Sequence, residues 1–211
     1  MKNLRLLCLL LLSIFFCEAF AQDIHFSQYF ASPLTLNPAA TGNFYGSFRV
    51  AANYRNQWFG PISNNAPYQT FSGSFDVSVL KQELDIDHMG FGIMFFNDRA
   101  GDGNLTTQSV MLSAAYHKGL DSRDKHHIGF GVQGGMVQKR VDFSKLKFEE
   151  QWDGESSFNP ALWNHENVRA ESILYPDFNF GVFGQTTLSD NVNANIGFGY
   201  YHVFTPTESF L

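Results

Sequence analysis

The residues best suited to chemistry are few and far apart. The loop "NDRAGDGN" places Asp98, Asp102 and Asn104 around two glycines, as calcium-binding loops do. It lacks the full ligand series and the distal bidentate Glu of an EF-hand. A tight hairpin in which Gly101 and Gly103 take positive φ accounts better for this spacing. The loop therefore predicts a turn and no metal site.

Other reactive residue types form no catalytic group. Ser113 and His117 fall on one face of a predicted strand, but no acid or oxyanion hole is visible near them. His126 and His127 are adjacent, so in a strand they point to opposite faces and do not chelate one metal. The sequence therefore predicts a protein that is not an enzyme, with no catalytic residue, metal ligand or cofactor.

Charged residues instead meet on neighbouring strands. Arg49, Asn53 and Arg55 are separated by even numbers of residues, so they share the polar face of the first predicted strand, and Asp76 lies on the polar face of the second. We expect these four residues to line the lumen. Since buried charges are kept only when paired, a structural ion-pair network is the first interpretation, and a substrate-selective ring is the alternative.

The elements that carry these residues are strands, because apolar and polar residues alternate with a period of two. In "FRVAANYRNQW", for example, Phe48, Val50 and Tyr54 alternate with Arg49, Asn53 and Arg55. Each segment has roughly the 9 to 11 residues of a membrane-spanning strand. The seven predicted strands cover residues 48–58, 68–79, 88–97, 107–117, 127–137, 175–186 and 191–202.

The polar face of these strands separates two fold classes. A soluble β-sandwich usually presents Lys and Glu to water, whereas this face carries mostly Ser, Thr, Asn, Gln and Gly. Charged residues make up 16% of the chain, below the roughly 25% of an average soluble domain, while aromatics also reach 16%. We therefore predict an all-β fold, an antiparallel transmembrane outer-membrane β-barrel, with its apolar face towards lipid.

Loop lengths and strand number refine this prediction. From a periplasmic N-terminus, the inside connections are the short "KQELDID", "DSRDK" and "LSDN", while the outside ones include a long stretch from about Lys139 to Leu174. Outer-membrane barrels show this asymmetry. They also normally close with an even strand count, so about seven strands suggest a C-terminally truncated chain whose closing strands are missing.

The chain divides into three segments. A basic start, a short apolar run and "AFA" predict a signal peptide at 1–21, with an uncleaved anchor as the alternative. The mature part would lose Cys8 and Cys17 and keep 12 basic and 19 acidic residues, a net charge of about −7, which argues against nucleic acid as a partner. Residues 22–45 form an N-terminal plug or rim segment, and 46–211 a partial transmembrane barrel.

Five phrases of the chain resemble one known family in the right order. They are "HFSQYFASPLTLNPAATG", "RVAANYRNQW", "FFNDRAGDGNLTTQSVMLSAAYH", "VDFSKLKFEEQ" and "YPDFNFGVF". The chain resembles the PorP/SprF family of type IX secretion system outer-membrane proteins of Bacteroidota. The resemblance implies a barrel in the cell outer membrane that assists export or surface attachment of a secreted partner, such as a gliding-motility adhesin. Its expected partners are outer-membrane lipid, a secreted type IX cargo or adhesin, and other type IX components.

Two segments remain open to more than one interpretation. Pro33 and Pro38 interrupt the N-terminal segment, whose apolar residues either plug the periplasmic mouth or lie along the rim. The long outer loop is expected to dock the partner or to fold inward and close the pore. A channel for a small hydrophobic molecule, with the N-terminal segment as a hatch, is the alternative function. The docking residues we predict in the loop are Phe143, Phe148, Trp152, Phe158 and Trp163.

Overall fold

The computed structural model describes most of the chain after the predicted signal peptide. The described residues are 24, 26–57, 68–80, 86–121, 125–154, 157–159, 162, 170–189, 192–204, 206 and 208–210. The predicted signal peptide at 1–21 lies outside them. Within these ranges, no helix is both long enough and apolar enough to cross a membrane.

Seven antiparallel strands form one sheet, which confirms the predicted all-β fold and each of the seven strands. Neighbours in the chain are neighbours in the sheet, in the order β1 to β7, so every connection joins adjacent strands. The sheet curls into a half-barrel. The strands are β1 (Phe48–Gln57), β2 (Tyr68–Val79), β3 (His88–Ala100), β4 (Leu105–Gly119), β5 (His126–Arg140), β6 (Ser172–Ser189) and β7 (Val192–Tyr200).

Helical structure is confined to single turns. In the N-terminal segment, 3₁₀ turns at Tyr29–Ala31 and Pro38–Ala40 flank one α-helical turn at Pro33–Leu36. Pro33 and Pro38 each occupy the first position of a turn, where the missing N–H of proline costs nothing. Two further 3₁₀ turns, Phe143–Lys145 and Glu149–Gln151, follow β5.

The two faces of the sheet differ as the alternation predicts. Side chains of one face, which we call the apolar face, are largely exposed, for example Val50 at 68%, Leu112 at 64% and Ile196 at 79%. The opposite face, which we call the covered face, buries polar side chains such as Ser72, Gln133 and Asn179. The residues that a soluble fold would bury are therefore the ones turned outwards here.

The N-terminal segment shows how strongly the sheet curls. Arg49 of β1 donates a hydrogen bond to Ala40 O, and the side-chain amide of Asn37 donates one to Phe198 O of β7. Seven strands laid flat would span roughly 29 Å, because neighbouring strands lie about 4.8 Å apart. Three residues of fully extended chain span at most about 11 Å, which is therefore the largest possible distance between Asn37 and Ala40. The sheet must therefore wrap around this segment for both edge strands to reach it.

A small apolar core lies between the N-terminal segment and the covered face. Leu34 is a fully buried member of this core, and the partly buried Ile24 and Ile173 pack against it. The sequence pattern did not single out the strand residues of this core, because they interrupt a face that otherwise carries small polar groups. They are Met94, Phe96, Met111, Val137 and Tyr175.

The β3–β4 hairpin confirms the predicted tight turn but corrects one of its residues. Gly101 has a φ of 69°, as expected, whereas Gly103 does not take positive φ and Asn104 does, at 47°. Gly103 is needed for space instead, since a Cβ there would lie 2.6 Å from Leu146 Cδ2. Asn104 tolerates the left-handed region better than most residues, and its Oδ1 accepts from Arg99.

Candidate functional site

The predicted charged residues form an ion pair that holds the N-terminal segment. Arg49 and Asp76 stand opposite each other in the β1–β2 ladder, and two hydrogen bonds of 2.9 and 2.6 Å join them. Arg49 also donates to Ala40 O at 3.0 Å, and Asp76 Oδ2 accepts the backbone N–H of Gly42 at 2.8 Å. The Arg49 guanidinium lies 4.7 Å from the centre of the Phe44 ring.

The other two predicted lumen residues lie on the same face of β1. Asn53 donates to Ala31 O at 2.9 Å, so it too contacts the N-terminal segment. Arg55 donates to the Oε1 of Gln57, two residues along the same strand. Of the four predicted residues, Arg49, Asp76 and Asn53 are therefore brought together by the N-terminal segment, and Arg55 lies further along β1.

Asn37 fixes the opposite side of the segment. Its Oδ1 accepts the N–H of Ala39 at 2.8 Å, which caps the Pro38–Ala40 turn. Its side-chain amide donates to Val182 O at 3.0 Å and Phe198 O at 3.4 Å. One side chain thus satisfies carbonyls of β6 and β7 while it shapes the segment that they contact.

His117 makes a third contact with the segment. Its Nε2 lies 2.8 Å from Thr41 O, and since a carbonyl only accepts, Nε2 carries the proton. The ring stacks on His88 with centroids 4.4 Å apart. The covered-face position of His117 was readable from the alternation, but its partner in the N-terminal segment was not.

Glycines let the segment approach the strand backbone. A Cβ on Gly131 would lie 2.3 Å from Ala39 N and 2.4 Å from Pro38 C, and one on Gly90 would lie 2.2 Å from Thr41 O. All these atoms belong to the backbone of the segment, so no side chain can move aside to make room. The covered face is therefore shaped to fit residues 38–41 closely.

The long connection between β5 and β6 runs from 141 to 171, which is shorter at both ends than predicted. Phe143 begins its first 3₁₀ turn and packs edge-on against Phe210, and Phe148 precedes the second turn. Trp152 and Phe158 pair through an isolated bridge, with ring centroids 5.1 Å apart. Trp163 lies outside the described residues.

A cavity of about 570 Å³ opens beside this connection. It lies between the β3–β4 hairpin, the residues that follow β5, and residues 208–210 near the C-terminus. Its walls are mainly apolar. The side chains that form these walls include Leu105, Val141, Phe143, Leu146 and Phe210.

Carboxylates at this end of the sheet remain charged. Burial raises the pKa of Glu208, but hydrogen bonds from Lys139 and Tyr175 outweigh burial and bring it below its usual value. Hydrogen bonds from Ser144 and Lys145 lower the pKa of Asp142. The surroundings of the cavity therefore keep negative charge at neutral pH.

Metal binding has no geometric support in the part of the chain that the structure describes. No three His, Cys, Asp or Glu side chains there lie close enough together to hold an ion. Asp98, from the loop weighed as a calcium site, instead accepts a hydrogen bond from Thr70 across the β2–β3 ladder.

Comparison with known proteins matches the chain to a family model. The model described as "Type IX secretion system membrane protein PorP/SprF" matches residues 18–210. No curated protein and no solved structure matches the chain. The match includes every strand, the N-terminal segment and the cavity.

Proposed function

Because the chain belongs to the PorP/SprF family of type IX secretion system membrane proteins, we propose that it sits in the outer membrane and assists export or surface attachment of one secreted partner protein. The family match over residues 18–210 is the observation that carries this proposal. The partner is a secreted cargo or adhesin, and other type IX components bind the same barrel.

The apolar face supports the membrane location. Exposed Phe, Leu, Val and Ile side chains recur along all seven strands, and strands of 9 to 18 residues are long enough to cross the hydrocarbon layer when tilted. Contiguous apolar surface of this extent is rare on soluble proteins. Lipid is the partner that such a surface fits.

We propose that the β5–β6 connection docks the secreted partner. Trp152 and Phe158 are 44% and 39% exposed, although each is a large ring. Exposed aromatic rings on a loop held by a rigid sheet are typical of binding surfaces. Phe143, Phe148 and Trp163 complete the proposed docking residues of this connection.

We propose that the N-terminal segment is a plug and not a rim tail. Three contacts with the covered face support this proposal: the Asp76 hydrogen bond to Gly42, the Asn37 bonds to β6 and β7, and the close fit at Gly131. A tail along the rim would not contact strands on both sides of the half-barrel. The plug also supplies Leu34, which is fully buried in the apolar core that it forms with strand residues.

Gly131→Ala should loosen this plug. The added Cβ would meet backbone atoms of Pro38 and Ala39 at 2.3–2.5 Å, and such overpacking costs about 1–3 kcal/mol. We expect chymotrypsin to cleave the variant near Tyr29 and Phe30 about tenfold faster than the unchanged protein. Gly73→Ala is the matched control, because a Cβ there has no atom nearer than 3.9 Å. Equal cleavage of both variants would contradict the plug.

The docking proposal is tested by cross-linking the barrel to its partners in intact outer membranes and identifying them by mass spectrometry. A large secreted protein and type IX components should be captured. Replacing residues 144–170 by a short Gly-Ser linker should reduce capture of the secreted protein at least tenfold. Replacing residues 121–124 is the control and should leave capture unchanged, because they belong to the connection between β4 and β5, which joins the opposite ends of those strands.

Two outcomes of the cross-linking experiment would contradict the docking proposal. If the unchanged barrel captures no secreted protein while purified barrels in liposomes pass small hydrophobic solutes, the channel function replaces docking. If the linker variant captures as much partner as the unchanged protein, the β5–β6 connection is not the docking surface.

A further inference from the structure

The cavity beside the β3–β4 hairpin has the size of a ligand site. Its volume of about 570 Å³ falls within the roughly 300–1,000 Å³ of typical ligand pockets. Three separate parts of the chain build it: the hairpin, the residues after β5, and residues 208–210. Like the β5–β6 connection, it lies at the end of the sheet that the loop lengths predict to face outwards.

The walls of the cavity favour an apolar ligand group. Leu105, Val141, Leu146 and the rings of Phe143 and Phe210 leave few polar atoms to satisfy. The two rings meet edge-on with their centroids 6.3 Å apart, and each ring is only partly buried. Edge-on contact is one of the arrangements in which aromatic rings attract each other. A flat or branched apolar side chain therefore fits here better than a sugar, a phosphate or an ion.

The rim of the cavity favours a ligand group with positive charge. Asp102 is exposed at the tip of the hairpin, and it forms no ion pair or hydrogen bond with any residue that the structure describes. Lys139 pairs with Glu208, and Lys145 pairs with Asp142 at 3.0 Å, so these two lysines are already neutralised, while Arg99 donates to the side-chain oxygen of Asn104. Asp102 is thus the carboxylate of the rim that remains available to a ligand.

The adjoining connection carries the same sign of charge. Residues 141–171 contain seven acidic and three basic side chains, a net charge of −4. A partner that approaches this end therefore gains from a positive surface, since complementary charge speeds encounter and suppresses wrong partners. Apolar walls and an acidic rim together fit a ligand in which an aromatic side chain stands next to Lys or Arg.

We propose that this cavity binds a peptide segment of the secreted partner in which an aromatic residue stands beside a basic one. The inference rests on the proposed function, because it takes the peptide to come from the docked partner. The aromatic side chain enters between Leu105, Leu146 and Phe210. The neighbouring cation pairs with Asp102.

A direct binding measurement tests the site without the partner. The purified full chain in detergent is titrated against the labelled peptide Gly-Trp-Arg-Gly, with fluorescence anisotropy as the readout. Replacing Trp by Ala in the peptide should weaken binding more than tenfold. Replacing Arg by Glu should weaken it about fivefold or more, since an attraction at the rim becomes a repulsion.

Two variants of the chain test the two halves of the site. Asp102→Asn keeps the shape of the rim and should weaken the Arg peptide about two- to fivefold, as loss of an exposed ion pair does, with little effect on a Gly-Trp-Gln-Gly peptide. Ser209→Trp fills the cavity and should weaken both peptides more than tenfold. Glu150→Gln and Ser189→Trp are the matched controls, since neither residue lines the cavity.

Each result has a single meaning. Equal weakening by Asp102→Asn and Glu150→Gln would reduce the effect to general charge attraction and overturn the site. Unchanged binding by Ser209→Trp would also overturn it, as would a small aromatic amine that binds as tightly as the peptide. If the intact barrel still captures its secreted partner while these peptides fail, the proposed function stands and only the cavity site falls.

Discussion

Arg49→Met should lower the free energy of unfolding by about 3–5 kcal/mol, the usual cost of breaking a buried ion pair by removing one partner. Asp76 has no exposed side-chain surface. Without Arg49 its charge is therefore buried, and among the described residues the N–H of Gly42 remains as its hydrogen-bond partner. Met keeps much of the volume and apolar stem of Arg. The loss is therefore electrostatic and not a cavity effect.

A double variant separates charge from packing. Arg49→Met with Asp76→Asn removes both charges and keeps a side-chain oxygen that accepts from Gly42. The double variant should be more stable than Arg49→Met alone, because no ionised group is left without a partner. Urea unfolding in detergent, followed by tryptophan fluorescence, measures all three proteins. A double variant less stable than the single one would show that the Arg49–Asp76 charges are not what holds this part of the fold.

Leu34→Ala should cost about 2–5 kcal/mol, as large-to-small changes in a core do. Leu34 is fully buried where the N-terminal segment meets the covered face, among Met94, Met111 and Val137. Removing three carbons leaves a void that the surrounding strands cannot close, since their backbones are fixed by ladders on both sides.

Leu36→Ala is the matched control for this change. It lies in the same helical turn and loses the same atoms, but 49% of its surface is already exposed. We expect a change within about 0.5 kcal/mol, as for most surface substitutions. The temperature at which the folded band disappears in unboiled gel electrophoresis compares the two. Equal losses would mean that the segment does not provide a core.

Local pattern was enough to find the strands because the side-chain period of two is fixed by strand geometry. The ends of β6 are less well encoded, since the strand runs from Ser172 to Ser189 whereas the pattern predicts 175–186. Pro176 lies inside β6, where the strand pairs with Met136 of β5 but not with β7, whose pairing begins at Phe180.

Contacts between distant residues explain what the pattern missed. Arg49 and Asp76 share polar faces of neighbouring strands, so their pairing was accessible from the sequence. The role of Asn37, the fit at Gly131 and the cavity beside Phe210 each depend on residues far apart in the chain. The alternation of residues along one strand does not encode such long-range contacts, which form only when the sheet curls.

The bonds of Asn37 also set the order in which the molecule can be assembled. Its two carbonyl partners, Val182 and Phe198, lie 145 and 161 residues further along the chain. The N-terminal segment is synthesised first, so it must wait for β6 and β7 before its contacts with the sheet are complete. Pairings this distant in sequence form slowly, because the chain loses loop entropy before it gains the contact. During that wait Leu34 and the sheet edges stay accessible, so this is the stage of folding at which the chain is most exposed to association with other molecules.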